Sequence, residues 1–184
     1  MDLKGILEVF REQRHDFINH LQVISGYLQL QKQEIARDYI QKVSGLLREQ
    51  GKIFHLKIPE VSTVLLLEQK KARDCGIEVI FDLRDDLAYC SIPGDVMGAL
   101  LETMFYIIIS YLASFGLANG RLKVSLTGER KQCIWRFCFV KPVAKEISAL
   151  VHQQISLFRQ RLALYKGEVT LTEEREEGCI TVII

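Results

Sequence analysis

Between Leu3 and Phe54 the apolar residues return every three or four positions, and this period leaves room for little except two amphipathic helices laid side by side. The first stripe is Leu3, Ile6, Phe10, Phe17, Leu21, Ile24 and Leu28, which predicts a helix from about Asp2 to Leu30. The second is Ile35, Tyr39, Ile40, Val43, Leu46, Leu47 and Ile53, which predicts a helix from about Glu34 to Phe54. The turn between them, around Gln31 to Gln33, has neither glycine nor proline. Two helices packed once on each other cannot cover both stripes. A second hairpin can, so the pattern points to a homodimeric four-helix bundle.

His15 stands outside this pattern. At 100° per residue it lies roughly 160° from Phe17, on the face turned to water. Arg11, Glu12, Ile18, Asn19 and Gln22 share that face, because residues three and four apart are helix neighbours. Ile18 serves no core there, but it suits a docking partner. Imidazole is also the side chain best able to take and return a group near neutral pH. His20 lies only about 60° from Phe17, at the flank of the core.

The run RHDFINHLQVISGYLQLQ, from Arg14 to Gln31, resembles the phosphoacceptor box of the sporulation initiation phosphotransferase B family. These are helical-hairpin histidine phosphotransferases related to the citrate-sensor type of histidine kinase. The resemblance maps onto Arg14, His15, Asp16 and Asn19 and implies that His15 carries a phosphoryl group; Arg14, Asp16, Asn19 and, from its place on the same face, Gln22 are expected to support it. The partners implied are response-regulator receiver domains, and docking is expected on the exposed face around His15, formed by Arg11, Glu12, Ile18, Asn19 and Gln22.

The period changes near Lys57 to Val61, giving two expected domains, 1–57 and 58–184. Pro59 suits the first turn of a helix over Glu60 to Asp74, and Gly76 suits its stop. Ile77 to Leu83 alternates as a strand. Pro93-Gly94-Asp95 opens an apolar helix ending near Gly116. Strands are expected over Arg121 to Leu126 and Cys133 to Val140, joined through Gly128. A helix from Val143 to Tyr165, stopped by Gly167, then leads to a hairpin of Glu168 to Thr172 and Cys179 to Ile184. The order αβαββαββ resembles the ATP-binding domain of sensor histidine kinases, a helix layer on a mixed sheet. The fold class is therefore α+β: a bundle-forming hairpin followed by an α/β sandwich resembling a degenerate kinase domain.

The degeneracy rests on three departures. Kinases of this type keep asparagines on the second helix of the domain, where this chain has Ala99 and Thr103. They keep an Asp-x-Gly-x-Gly loop after the long strand, where this chain has Lys141-Pro142-Val143-Ala144. A second glycine-rich loop should follow, yet no glycine occurs between Lys141 and Tyr165. Such loops need glycine so that backbone amides can approach phosphate. No nucleotide binding is expected, and no metal or cofactor of the chain's own. Any magnesium would come with the partner regulator.

A formal charge of +1, with no dense basic patch, argues against a nucleic-acid partner. The stretch Thr103 to Ala118 is almost wholly apolar, but its 16 residues fall short of the roughly 20 that span a bilayer. The five cysteines form no CxxC pair and read as reduced thiols of a cytoplasmic protein. Met1 leads straight into an amphipathic helix with no signal-peptide pattern. The expected activity is transfer of a phosphoryl group from one response-regulator aspartate to another through a phosphohistidine at His15. The family context suggests a relay leading to sporulation. Two rivals remain: an ATP-dependent histidine kinase with an atypical nucleotide site, and a non-enzymatic dimerisation or docking module.

Overall fold

In the computed structural model the chain forms two compact units, Met1–Phe54 and His55–Ile184. Residues 3–114, 120–129, 132–140, 149–174 and 177–184 are described.

The first unit is a hairpin of α1 (Leu3–Gln29) and α2 (Gln33–Gly51), followed by a 3-10 turn (Lys52–His55). The glycine-free turn closes because Gln31 itself adopts φ 58°. The amide of Gln31 bonds to the Leu28 carbonyl and that of Lys32 to the Tyr27 carbonyl, the two bonds of a Schellman stop. Across the hairpin, Tyr39 meets the ring of Tyr27 edge-on at 6.0 Å. The apolar face of α1 is wider than α2 covers. Ile24 and Tyr27 are half-buried, whereas Phe10, Phe17, Leu21 and Leu28 remain about half exposed. Ile40, Leu46 and Leu47 on α2 are exposed to a similar degree.

The second unit follows the expected order: α3 (Pro59–Asp74), β1 (Ile77–Leu83), α4 (Gly94–Ala113), β2 (Gly120–Glu129), β3 (Gln132–Val140), α5 (Ala149–Ala163), β4 (Glu168–Glu173) and β5 (Glu177–Ile183). The sheet runs β1-β2-β3-β5-β4. Only β1 and β2 are parallel; the other neighbours are antiparallel. Alternation decides which face is covered: Leu122, Val124, Leu126, Trp135, Phe137, Phe139, Ile180 and Val182 are buried on one side. There α4 lays Phe105 edge-on against Phe137 at 5.6 Å and Tyr111 against Phe139 at 5.7 Å. The opposite face of β3 and β5 is half open to solvent.

Local stops follow the residues. Pro59 opens α3 and Gly76 ends it at φ +74°, the left-handed conformation that glycine takes without a side-chain clash. At the end of α5 the left-handed residue is Lys166, one position before the expected Gly167. Gly167 is required for a different reason: a β-carbon there would press on Leu162 and on the Ile183 carbonyl.

Several sequence expectations need correction. Gly128 is not a turn but lies inside β2, opposite Cys133, and the Asp85 carboxylate occupies the space a side chain would need. The apolar helix is 20 residues long, so length alone does not disqualify it as a span. Burial decides instead, since eleven of its residues lie in the interior of this unit. Its expected end at Gly116, and the expected start of α5 at Val143, lie outside the described residues. Finally, two cysteines are not free thiols. Cys138 and Cys179 are joined by a disulfide, because antiparallel pairing sets them directly opposite with Cα atoms 4.1 Å apart.

Candidate phosphoacceptor site

Helix α1 carries His15 on the face turned away from α2, and its side chain is 74% exposed. One turn on, the Asn19 amide nitrogen lies 3.1 Å from His15 Nδ1. The Asp16 carboxylate lies 3.7 Å from the same nitrogen, within ion-pair reach of a protonated ring but too far for a hydrogen bond. Both groups address Nδ1, so Nε2 is the ring atom left to the outside. The Asn19 amide serves either tautomer. Its NH2 end donates to a bare Nδ1, and its oxygen, turned inward, accepts from Nδ1–H. The second arrangement leaves the Nε2 lone pair free for attack on an electrophile.

Arg11, Arg14, Ile18 and Gln22 are exposed around the ring, Ile18 to 45%. Neither Arg14 nor Gln22 makes a hydrogen bond or ion pair to His15. Glu12 is half-buried and engaged elsewhere, so it offers less to a docking partner than its helical position implies. His20 is half-buried, its Nδ1 2.9 Å from the Tyr39 hydroxyl and the rings 5.8 Å apart. That bond ties α1 to α2 five residues beyond His15. Sequence reasoning placed His20 at the flank of the core but missed its partner. In an antiparallel hairpin turning at about residue 30, positions summing to near 60 face each other, and that rule finds Tyr39.

In the second unit, Thr103 spends its hydroxyl on the Ala99 carbonyl at 2.8 Å, inside its own helix. It lines an open groove of about 400 Å³ together with Glu68, Lys71, Glu102, Tyr106 and Ser110. The Lys71 ammonium lies 2.5 Å from Glu68 and 3.6 Å from Glu102. The pair is asymmetric, with side-chain exposures of 53% for Lys71 and 4% for Glu68. Burial therefore raises the Glu68 carboxyl above its ordinary range, against the pull of Lys71. Burial opposes the charge on Lys71, but Glu68 and Glu102 prevail and raise it. Among the described residues, no group of three or more histidine, cysteine, aspartate or glutamate side chains could hold a metal ion.

Residues 1–56 match the family model described as Sensor_kinase_SpoOB-type, alpha-helical domain. This hairpin is a SpoOB-type helical domain. The chain is 32% identical over 134 residues to the sensor protein CitS of Halalkalibacterium halodurans (strain ATCC BAA-125 / DSM 18197 / FERM 7344 / JCM 9153 / C-125), a match covering 68% of this chain. It is a distant homologue that spans only about a quarter (24%) of that sensor's length. The histidine kinase AdeS of Acinetobacter baumannii superposes with a TM-score of 0.51 at 15% identity, over 92% of this chain and 96% of its own. The catalytic domain of histidine kinase ThkA superposes at 0.51 and 13% identity, over 68% of this chain and 89% of its own. ThkA in complex with response regulator protein TrrA gives 0.50 at 12% identity, over 96% and 60%. The α/β unit thus has the fold of a histidine-kinase catalytic domain, as its element order implied.

Proposed function

We propose that the chain is a histidine phosphotransferase that relays a phosphoryl group between response-regulator aspartates. The observation that carries this reading is His15, outward on a rigid helix with Nδ1 occupied and Nε2 free. Nε2 attacks the phosphorus of an aspartyl phosphate in line; the N–P bond forms as the acyl O–P bond breaks, and the donor carboxylate leaves. The reverse step on a second receiver returns the group. The Asn19 amide nitrogen faces Nδ1; with the amide turned over, its oxygen would hold the Nδ1 proton and leave the Nε2 lone pair for attack, while Asp16 offsets the positive charge that develops on the ring. Such transfer depends on positioning and charge compensation. The partner would bring the magnesium, and the relay would operate in the cytoplasm.

Nucleotide chemistry is not part of this reading. A polyphosphate approaching Thr103 would meet Glu68 and Glu102 with a single lysine between them, and the sequence between Lys141 and Tyr165 offers no glycine. The pairing of ThkA with TrrA supports a receiver domain as the docking partner. Phe10, Phe17, Leu21 and Leu28 support a homodimer, since a second hairpin would cover them.

The test mixes the chain with phosphorylated receiver domains and follows acid-labile label. Label at residue 15 is expected, with relay lost and dimerisation kept in His15→Gln. Label from ATP and magnesium alone would favour a kinase, and full relay by His15→Gln would favour a docking module.

A further inference from the structure

The sheet of the second unit carries sulfur chemistry that the proposed phosphotransfer does not use. The five cysteines fall into three environments. Cys75 is exposed at the end of α3. Cys133 is buried on the helix-covered face, hydrogen-bonded to Cys90. Cys138 and Cys179 lie half-exposed on the open face, paired in register between β3 and β5.

We propose that Cys138 and Cys179 form a reversible thiol–disulfide site, oxidised by anionic low-molecular-weight disulfides and reduced again by thiols. Three observations carry this. First, both cysteines are only partly buried, on the side of the strands opposite Phe137 and Ile180. Second, register sets the two cysteines directly opposite each other on neighbouring strands, close enough for their sulfurs to meet. Third, the strands are tied together at this point by more than the bond. Seven registered residue pairs join β3 to β5, and Phe137, Phe139 and Ile180 anchor the same stretch on the buried face.

The surroundings select the reagent. Lys123 stands directly across from Cys138 on β2, and Arg136 is two residues along on the same face of β3. Lys123 also lies 3.9 Å from Asp82, and the two cations on this face together attract an anionic disulfide. The exchange balances as two steps. One protein thiolate attacks the reagent RSSR and releases one RSH after proton uptake, leaving a mixed disulfide. The second protein thiolate then attacks the protein sulfur of that mixed disulfide and releases the second RSH. Two protein thiols are oxidised and one RSSR is reduced. The product closes a loop of sequence separation 41 that contains α5 and β4.

The test treats the fully reduced chain with glutathione disulfide, alkylates the remaining thiols and maps peptides by mass spectrometry. The expected result is a Cys138–Cys179 cross-link, about 2 Da lighter than the reduced chain, reversed by dithiothreitol. Cys138→Ser should instead accumulate a glutathione adduct on Cys179, because the resolving thiol is gone. Hydrogen exchange supplies the second readout. The sheet should stay protected after reduction, and protection of α5 and β4 should rise on oxidation. Stable glutathione adducts on both cysteines of the parent, a Cys90–Cys133 link in their place, or no reaction would overturn the proposal. So would unfolding of the sheet on reduction, which would make the bond a structural necessity.

Discussion

Phe17 gives a quantitative test of the bundle. Its side chain is 50% exposed in the isolated chain, on the line that includes Phe10, Leu21 and Leu28. A phenylalanine presents roughly 200 Å² in all, so roughly 100 Å² awaits a partner. Alanine would present roughly a third of that, and losing roughly 70 Å² of burial costs about 2 kcal/mol. A two-fold dimer contains the residue twice, so Phe17→Ala should weaken association by about 4 kcal/mol, near a thousandfold in Kd. Alanine is the better helix former, so the hairpin itself should survive. Sedimentation equilibrium over a concentration series measures the change, with circular dichroism confirming helix content. Ile18→Ala is the internal control: Ile18 is 45% exposed but lies next to His15 rather than on the open stripe, and its loss should leave dimerisation unchanged. A Kd for Phe17→Ala within tenfold of the parent would refute this assignment of the seam. So would a parent chain that stays monomeric at micromolar concentration.

Asn19→Asp keeps an acceptor at Nδ1 and should retain receiver-dependent labelling, whereas Asn19→Leu removes both acceptor and donor and should slow it by one to two orders of magnitude, about 1.4–2.7 kcal/mol in barrier; single-turnover kinetics reads the difference. Because Nδ1 is engaged, the phosphoryl group is expected on Nε2, and nuclear magnetic resonance of the labelled chain assigns the nitrogen. Glu68 has its carboxyl raised by burial, so the folded unit binds more protons than the unfolded chain between the ordinary carboxylate range and the raised value. Stability of the second unit should therefore fall as pH rises through that window, and Glu68→Gln should flatten the slope in urea titrations. Cys133 is pushed up to about 12 by burial, with Cys90 adding to it, so iodoacetamide at pH 8 should modify Cys75 and spare Cys133. Closing a loop of sequence separation 41 is worth about 4 kcal/mol in the chain-entropy picture, so Cys138→Ser should lose that much stability under oxidising conditions and little under reducing ones.

What the sequence made legible follows from what each signal depends on. The helix periods of α1 and α2, the alternation in β2, β3 and β5, and the stops at Pro59 and Gly76 are local, and each appears where the spacing places it. The α+β class and the kinase-like order of the second unit followed from them. Three features were not legible: two needed a neighbouring segment in place, and the third needed the backbone bonds that end α1. Gly128 reads as a turn until Asp85 is placed in its missing side chain's space. Cys138 and Cys179 read as separate thiols until β3 and β5 are put in register. Gln31 shows no turn signal because the Schellman bonds, rather than the residue type, hold its left-handed conformation. At the site, the helical wheel alone puts His15 opposite the stripe. The Asn19 contact adds what spacing cannot, namely which ring nitrogen is engaged.

The two units make opposite demands that together favour transfer over synthesis of the phosphohistidine. Making a phosphohistidine from ATP needs a loop that wraps a polyphosphate with backbone amides, and the chain between Lys141 and Tyr165 has no glycine to let the backbone approach. Taking the group from an aspartyl phosphate, as proposed above, needs only an accessible nucleophile, because an acyl phosphate is already activated. His15 meets that demand: its ring is open on one side and held through Nδ1 on the other. A ring that must meet two partners in turn cannot be buried by either, and a small apolar centre such as Ile18 favours complexes that form and release. An arrangement of this kind works as a relay only if each encounter is brief. Enlarging the apolar centre should therefore impair turnover even as it tightens binding: Gln22→Leu would lower the multiple-turnover relay rate while raising receiver affinity. Faster turnover together with tighter binding would show that release does not limit the relay.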